Sequence, residues 1–317
     1  MQAHEYAEVT STRANPHIDP VLHIWGWEVP VYLFLGGLVA GMLVINAYAV
    51  LSRREKEMPA AAKLFPMLGI PLLGIGLGAL FLDLEYKLHV FRFYTTFEPT
   101  SPMSWGSWIL LVVFGTSGLV ALSAYVKSSW PLASFTKGLP MVKTLESFAD
   151  RHARGLAIAN AVLGVSLGIY TGILLSNFAA RPFWNSGLLG PLFLVSGVST
   201  GAALGAILSS AEGERHMLLR LDLMLMTTEL VLIGLWVISM VSGGEASRAS
   251  AELILGGPYA AAFWSLVVVV GLIVPITLEL MSMRGRWRLT IVGPALVLVG
   301  GLSLRFVMVI AGQHIGY

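Results

Sequence analysis

Eight long stretches without Asp, Glu, Lys or Arg dominate this 317-residue sequence, and they constrain its fold more than any other feature. They run 29–52, 64–82, 99–126, 155–180, 182–211, 230–244, 253–278 and 289–304. A helix needs roughly 20 largely apolar residues to cross a bilayer, and each stretch provides them once its ends are trimmed or extended. Only 12% of the residues are charged, against about 25% in soluble proteins. The sequence therefore predicts an all-α integral membrane protein with eight transmembrane helices in two four-helix bundles, and it excludes a water-soluble enzyme.

The distribution of basic residues predicts which way round these helices run. The loops after the first, third, fifth and seventh spans contain fourteen Lys and Arg residues, whereas the opposite side has five. Basic residues concentrate in cytoplasmic loops. We therefore expect both termini on the extracytoplasmic side of the cell's inner (cytoplasmic) membrane. No hydrophilic segment is long enough for a soluble domain, so residues 1–317 should form one membrane domain, with Lys127–Arg154 as its longest loop.

A faint internal similarity relates the two halves of the sequence. Pro30–Gly41 and Pro191–Ala202 align without gaps, with small residues at equivalent positions four apart. Such spacing lets helix backbones approach closely. One interpretation is a parallel repeat with halves 20–180 and 181–317. The other is chance similarity between two apolar helices.

Several redox centres are excluded by residue type and placement. The sequence has no cysteine, so it cannot ligate an iron–sulfur cluster or use a thiol. All seven histidines fall in predicted loops, tails or helix ends, which argues against haem between helices. The net charge of +2 and the lack of a basic run do not suggest nucleic acid. We expect no redox centre in this protein.

Three charged residues fall within predicted spans, where they are costly and become functional candidates. Asp222 and Glu229 are seven residues apart, so they share one face of the sixth span, and Arg305 lies in the outer half of the eighth. One interpretation is a buried Glu–Arg pair that fixes helix register. The alternative is a proton route from the cytoplasmic side. Glu279, near the end of the seventh span, is expected at the membrane interface.

The predicted outer face collects aromatic residues and carboxylates from several segments. A belt of interfacial aromatics accounts for the tryptophans without any function. It does not account for Tyr170, about two turns inside the fourth span, or for Glu28 at the start of the first. A phenol can donate a hydrogen bond to a carbonyl oxygen, and a carboxylate can exchange a proton. These two groups near a lipid-accessible pocket predict a quinone site.

Four motifs resemble the NrfD family, the membrane subunits of polysulfide reductase-type complexes. They are WEVPVYLFLGGLVAG at 27–41, PTSPMSWGSW at 99–108, GIYTGILLSNFAARPFWN at 168–185 and RFVMVIAGQ at 305–313. Together with the eight-helix plan, the resemblance covers nearly the whole sequence. It implies a quinone-binding membrane anchor that docks a ferredoxin-like iron–sulfur subunit on the outer face. That subunit would in turn connect to a catalytic partner, typically a molybdopterin enzyme.

The resemblance also implies roles for individual residues. Tyr170 matches the family tyrosine that reaches the quinone, and the start of the first span supplies the facing wall. The sequence departs from the polysulfide reductase branch at Val29 and Tyr32, where that branch is more polar. Asp83 matches a DLGRP-like family stretch, whereas Glu85 and Tyr86 do not. We expect quinone contacts from Tyr170, Tyr32, Glu28, Trp27, Asp83 and His89, and partner docking at Glu98, Arg181 and His314.

Two function classes follow from the sequence. The first is a respiratory oxidoreductase subunit that binds menaquinone or ubiquinone as its substrate and exchanges electrons with the iron–sulfur partner. In this case proton transfer through the membrane would use Asp222, Glu229 and Arg305. The alternative is a secondary transporter, favoured by the repeat, the glycine-rich helices and the intramembrane charges. The motifs on the outer face have no role in a transporter.

Overall fold

A computed structural model of the protein describes residues 24–128, 136, 138–283 and 291–314. Eight helices in these ranges are long and apolar enough to cross a membrane, which confirms the predicted number, and the described residues contain no β-strand. The spans are α1 (Glu28–Leu51), α2 (Ala60–Asp83), α3 (Pro102–Val126), α5 (Ala153–Ser176), α6 (Leu189–Leu208), α7 (Glu212–Val241), α9 (Ala260–Ser282) and α10 (Val292–Gly312). Two shorter helices are α4 (Pro140–Arg151) and α8 (Glu245–Leu255).

The spans pack as two groups of four. In the first bundle, α1 packs against α2 and α5, and α3 packs against both α2 and α5. In the second bundle, α6 packs against α7 and α10, and α9 completes the group through α7 and α10. Helices α1, α5, α6 and α10 form the contact between the bundles, so α1 and α6 are among the most buried spans.

The bundles meet at a crossing of α1 and α6 that depends on glycine. A Cβ at Gly41 would overlap the carbonyl of Gly197 and lie 2.8 Å from the Cα of Val198. Gly37 and Gly201 face the same crossing from the two helices. Small residues allow this approach because backbone meets backbone. The repeat remains a prediction. In the alignment of the two halves Gly197 and Gly201 pair with Gly36 and Ala40, whereas the glycines of α1 at the crossing are Gly37 and Gly41.

We call the end where α1 begins the site end, and the opposite end the basic end. At the site end, the Gln313 side chain accepts hydrogen bonds from the backbone amides of Ile24 and Trp25, so both ends of the described chain meet there. At the basic end, the buried Glu214 carboxylate accepts hydrogen bonds from the amides of Ala60 and Ala61. It therefore caps α2 from α7 and ties the two bundles together.

Some boundaries differ from the sequence prediction. Lys127–Arg154 is not only a loop, because α4 occupies twelve of its residues. This helix was missed because it is amphipathic and lies outside any apolar stretch. The sixth span begins at Glu212 rather than near Met217, since Glu214 is paired and buried.

Some of the basic residues that predicted the orientation lie outside the described residues: Arg13, Lys137, Arg284, Arg286 and Arg288. The side on which the termini lie stays a prediction.

Candidate functional site

A cleft of about 600 Å³ opens at the site end between α2 and α3. The connecting segment 84–101 forms most of it, with a short helix at Arg92–Thr95. Two of the predicted site residues, His89 and Glu98, line it, and so does Glu85. Its volume is within the range of small-molecule pockets, roughly 300–1,000 Å³. Apolar side chains of the same connecting segment are exposed, including Leu88 at 89%.

Two tyrosines, Tyr32 of α1 and Tyr170 of α5, are buried and do not line this cleft themselves. Their exposed fractions are 1% and 7%, and each phenol is within electrostatic range of the other. Tyr94, from the connecting segment, is a further phenolic neighbour of Tyr32. The structure therefore brings together two of the predicted quinone residues, and it adds a third phenol that the sequence did not single out.

The PTSPMSWGSW motif makes room for Tyr170. A Cβ at Gly106 would overlap the Cζ and hydroxyl oxygen of Tyr170 and lie 2.5 Å from its Cε1. Ser104, two residues earlier, lines the cleft. Likewise Phe93 lines the cleft while its neighbour Tyr94 faces Tyr32. The segments 93–94 and 104–106 thus contact both the cleft and the buried tyrosines.

Other residues of this motif stabilise the turn that leads into α3. Ser104 Oγ accepts a hydrogen bond from the amide of Glu98 at 3.0 Å, and the Trp105 indole donates to the carbonyl of Pro99 at 2.7 Å. The Glu98 carboxylate accepts from the hydroxyl and the amide of Thr100. These bonds hold the pKa of Glu98 below its usual value. Glu98 is therefore an exposed, ionised group at the rim of the cleft.

Two further predicted carboxylates, Glu28 and Asp83, face each other where α1 begins and α2 ends. They are within electrostatic range of one another. Gly26 leaves room for Glu28, because a Cβ there would lie 2.5 Å from a carboxylate oxygen. Trp27, by contrast, is 53% exposed, as an interfacial tryptophan would be.

The predicted docking residues Arg181 and His314 lie at the site end of the second bundle, where each makes an internal hydrogen bond. Arg181 donates to the carbonyl of Gln313 at 3.1 Å, and partial burial lowers the pKa of its guanidinium. His314 pairs with the hydroxyl of Tyr259 at 3.0 Å. Beneath them the Trp184 indole donates to the carbonyl of Met308 at 2.7 Å. These contacts show that both residues help to close this end of the bundle.

The second bundle contains a row of buried polar side chains. Asp222 is fully buried and accepts a hydrogen bond from Ser199 at 2.5 Å, while its other oxygen has no partner among the described residues. Glu279 is 4% exposed and lies within electrostatic range of Asp222. Neither Glu279 oxygen has a described partner. Glu279 lies three residues from the end of α9, and it is buried because α9 packs its last turns against α10 and α7. Its position relative to the membrane interface stays a prediction.

Arg305 continues this row toward the site end. Its guanidinium donates to Ser196 and to the carbonyls of Phe193 and Gly301, and it lies 4.8 Å from the Phe193 ring centroid. Glu229 is its electrostatic partner and also interacts with Ser196. Within the described residues, however, Glu229 and Arg305 do not come within the 4.0 Å of a direct ion pair. Ser196 stands between them.

Sequence reasoning missed three contributors to these two regions, Tyr94, Gly106 and Ser196, and it did not place Glu279 beside Asp222. Gly106 lies inside one of the four motifs, but the sequence does not show that it packs against Tyr170 of another helix. Ser196 and Glu279 lie on α6 and α9, and only the packing of those helices against α7 and α10 joins them to Asp222 and Arg305. A buried glutamate within a span is a detectable signal, since charged side chains in spans usually face the bundle interior.

Comparison with known proteins gives a consistent result from one end of the sequence to the other. A family model described as "Polysulphide reductase, NrfD" matches residues 14–316. One of the chains of polysulfide reductase from Wolinella succinogenes is 30% identical over 308 residues, covering 92% of this protein and 94% of the relative. Protein NrfD of Escherichia coli is 32% identical over 310 residues, covering 92% and 95%.

A more distant relative matches less of the sequence. One of the subunits of tetrathionate reductase from Salmonella typhimurium is 26% identical over 239 residues, which cover 75% of this protein and 65% of the relative. The family match includes all eight spans, the cleft and the buried polar row. The protein is thus a multi-pass membrane protein that belongs to the NrfD family.

Proposed function

We propose that this protein is the quinone-reactive membrane subunit of a respiratory reductase complex in the inner membrane. Its relatives include one chain of a polysulfide reductase and one subunit of a tetrathionate reductase, whose names place them in enzymes of several chains. The observation that carries the proposal is the pair of buried phenols, Tyr32 and Tyr170, which segments 93–94 and 104–106 connect to a cleft of about 600 Å³.

The cleft suits a menaquinone or ubiquinone chemically. A quinone has a flat ring with two carbonyl acceptors and a long apolar tail. The phenol of Tyr170 can donate a hydrogen bond to one carbonyl, while the carboxylates of Glu28, Asp83 and Glu85 can exchange the protons that accompany electrons. The exposed apolar side chains of the connecting segment, such as Leu88 and Phe91, would contact the tail.

Electrons would pass between the quinone and a partner subunit at the site end. This protein supplies no thiol, so an iron–sulfur cluster must be held by a partner. We place this ferredoxin-like partner over the cleft, where Glu98 is exposed and ionised. A molybdopterin subunit would then carry out the terminal reaction. In this arrangement the site end is extracytoplasmic, in agreement with the predicted charge bias.

The second bundle offers a proton route in this proposal. Glu279 lies three residues from the end of α9 at the basic end, Asp222 and Glu229 follow along α7, and Arg305 lies beyond them. Unpaired oxygens on Asp222 and Glu279 favour a relay over a static ion pair. If so, Glu229→Gln should slow turnover or abolish proton translocation while the complex still assembles. Unchanged coupling would favour the structural pair.

The direct test of the quinone site is Tyr170→Phe in the assembled complex. If the phenol transfers a proton, quinone turnover should fall by about 100-fold or more. If it only donates a hydrogen bond, the loss should be about tenfold. Tyr259→Phe is the matched control, because Tyr259 is a site-end tyrosine in the other bundle. Full turnover by Tyr170→Phe would show that the site is elsewhere.

Purification separates this proposal from a secondary transporter. A reductase subunit should copurify with an iron–sulfur protein that absorbs visible light, whereas a transporter should purify alone. Quinone analogues should inhibit the purified complex. Copurification without such inhibition would leave an anchor that binds the partner but not the quinone.

A further inference from the structure

A second polar feature lies at the basic end of the first bundle, away from the cleft and from the buried row of the second bundle. A cavity of about 60 Å³ is enclosed there by α1, α3, α4 and α5. Its polar lining comes from Asn46, Ser123 and Asp150. A water occupies about 30 Å³ in the liquid, so the cavity has room for two waters.

The mouth of this cavity is charged. The Asp150 carboxylate accepts hydrogen bonds from Ser123 Oγ at 2.7 Å and from Lys127 Nζ at 2.5 Å. Partial burial would raise the pKa of Asp150, but these two hydrogen bonds outweigh it and lower that pKa overall. An ionised carboxylate and a lysine at its opening keep this end in contact with water.

Deeper in the same bundle, two buried polar side chains lack partners among the described residues. Asn160 is 1% exposed with both amide atoms unpaired, and Ser117 is 4% exposed with an unpaired hydroxyl. Asn160 lies one turn beyond Ala157, which lines the cavity. From the helical rise of 1.5 Å per residue, Asn160 is about 10 Å deeper than Ala153 and Ser117 about 9 Å deeper than Ser123. The two side chains thus lie at similar depth.

Unpaired polar groups at this depth require an explanation. An unsatisfied buried donor or acceptor costs about 1–3 kcal/mol, and buried water typically offsets this cost by bonding such groups. Asn46 donates to the carbonyl of Ala61 at 2.9 Å and bonds to neither Asn160 nor Ser117. Water that continues inward from the cavity would satisfy both Asn160 and Ser117.

We propose that the first bundle contains a water-filled inlet that leads from the basic end, past Asp150 and Ser123, to Asn160 and Ser117. The inlet is separate from the row of Asp222, Glu229 and Arg305. Its use as a proton supply rests on the proposed quinone function. Tyr170 is on the same helix as Asn160, ten residues further, so the inlet shortens a proton's path to it from roughly 26 Å to roughly 15 Å.

The natural absence of cysteine allows a direct test of hydration. Single substitutions Ser123→Cys, Ser117→Cys and Asn160→Cys would be exposed to Ag⁺ in native membranes, where each thiol gives a silver thiolate and a proton. Leu167→Cys, on α5 and 0% exposed, is the dry control. After denaturation, a maleimide reagent labels the thiols that Ag⁺ did not reach.

The inlet predicts that all three polar positions react with Ag⁺ at least tenfold faster than Leu167→Cys. If Ser117→Cys and Asn160→Cys react as slowly as Leu167→Cys while Ser123→Cys reacts fast, the cavity stops at its mouth and the inlet does not exist. Ser117→Cys changes one atom, so it carries the test even if Asn160→Cys does not assemble.

A second variant tests proton supply. Asn160→Leu should block the inlet and lower quinone turnover several-fold in an assembled complex. Fast Ag⁺ reaction combined with unchanged turnover in Asn160→Leu would overturn the conducting role and leave a hydrated cavity. The Ag⁺ result does not depend on quinone chemistry, so a failure of the Tyr170→Phe test would not alter it.

Discussion

The substitution Gly106→Ala tests how the packing of α3 positions the Tyr170 ring. In the structure the Tyr170 ring occupies the space that a side chain at Gly106 would need, and a Cβ there would lie 2.5 Å from Cε1. Carbon atoms pack best at about 3.5–4.0 Å, so Gly106→Ala requires the ring to move by at least about 1 Å. Tyr170 is only 7% exposed, and the ring has little free space into which to move.

Two effects of Gly106→Ala should be measurable. Overpacking of this kind costs about 1–3 kcal/mol of stability, which a thermal unfolding scan in detergent would detect. A misplacement of about 1 Å at a reacting group can cost about 100-fold in rate. If Tyr170 contacts the quinone, turnover should fall far more than the stability loss alone explains. Steady-state kinetics with a short-chain quinol analogue would separate KM from kcat.

Gly115→Ala and Gly118→Ala are the matched controls. Both lie on α3 with Gly106, and a Cβ at either position would meet nothing within 4 Å. They should leave turnover and stability nearly unchanged. Wild-type kinetics in an assembled Gly106→Ala complex would refute the reasoning, because the position of the Tyr170 ring would then not matter to the reaction.

Three further predictions concern the contacts that hold the bundles together. Trp184→Phe removes the indole bond to Met308 and should lower stability by about 1–3 kcal/mol, measured by thermal unfolding. Glu214→Ala leaves two helix-start amides unpaired and should cost a similar amount, whereas Glu214→Gln, which keeps an acceptor, should cost less. The link from Asp150 to Lys127 should be present at neutral pH and lost as pH falls toward and below about 4, since the folded-state pKa of Asp150 is lowered. Asp150→Asn should therefore flatten the loss of thermal stability between about pH 5 and about pH 2, and an unchanged pH profile there would contradict this.

Local chemistry made much of the fold predictable. Each span is a long apolar stretch, and a helix is the usual way to satisfy the backbone of a single segment in a bilayer. The eight helices could therefore be located from hydropathy alone, to within a few residues at most ends. The amphipathic α4 was missed because its pattern resembles that of a loop when only charge-free stretches are counted. The motifs around Tyr170 and Gly106 marked the end of the molecule where the cleft lies.

Tertiary packing decided which of these residues meet. Gly106 and Tyr170 are 64 positions apart, and only the contact of α3 with α5 brings them together. Glu279 is buried beside Asp222 because α9 packs against α7 and α10, which hydropathy cannot show. By itself the sequence determined that the protein has eight membrane-spanning helices and no cysteine for a redox centre. Only the packing decided which polar groups meet between helices. In the low dielectric of the bundle interior each buried polar group needs a partner, and for Asp222 and Arg305 that partner lies on another helix.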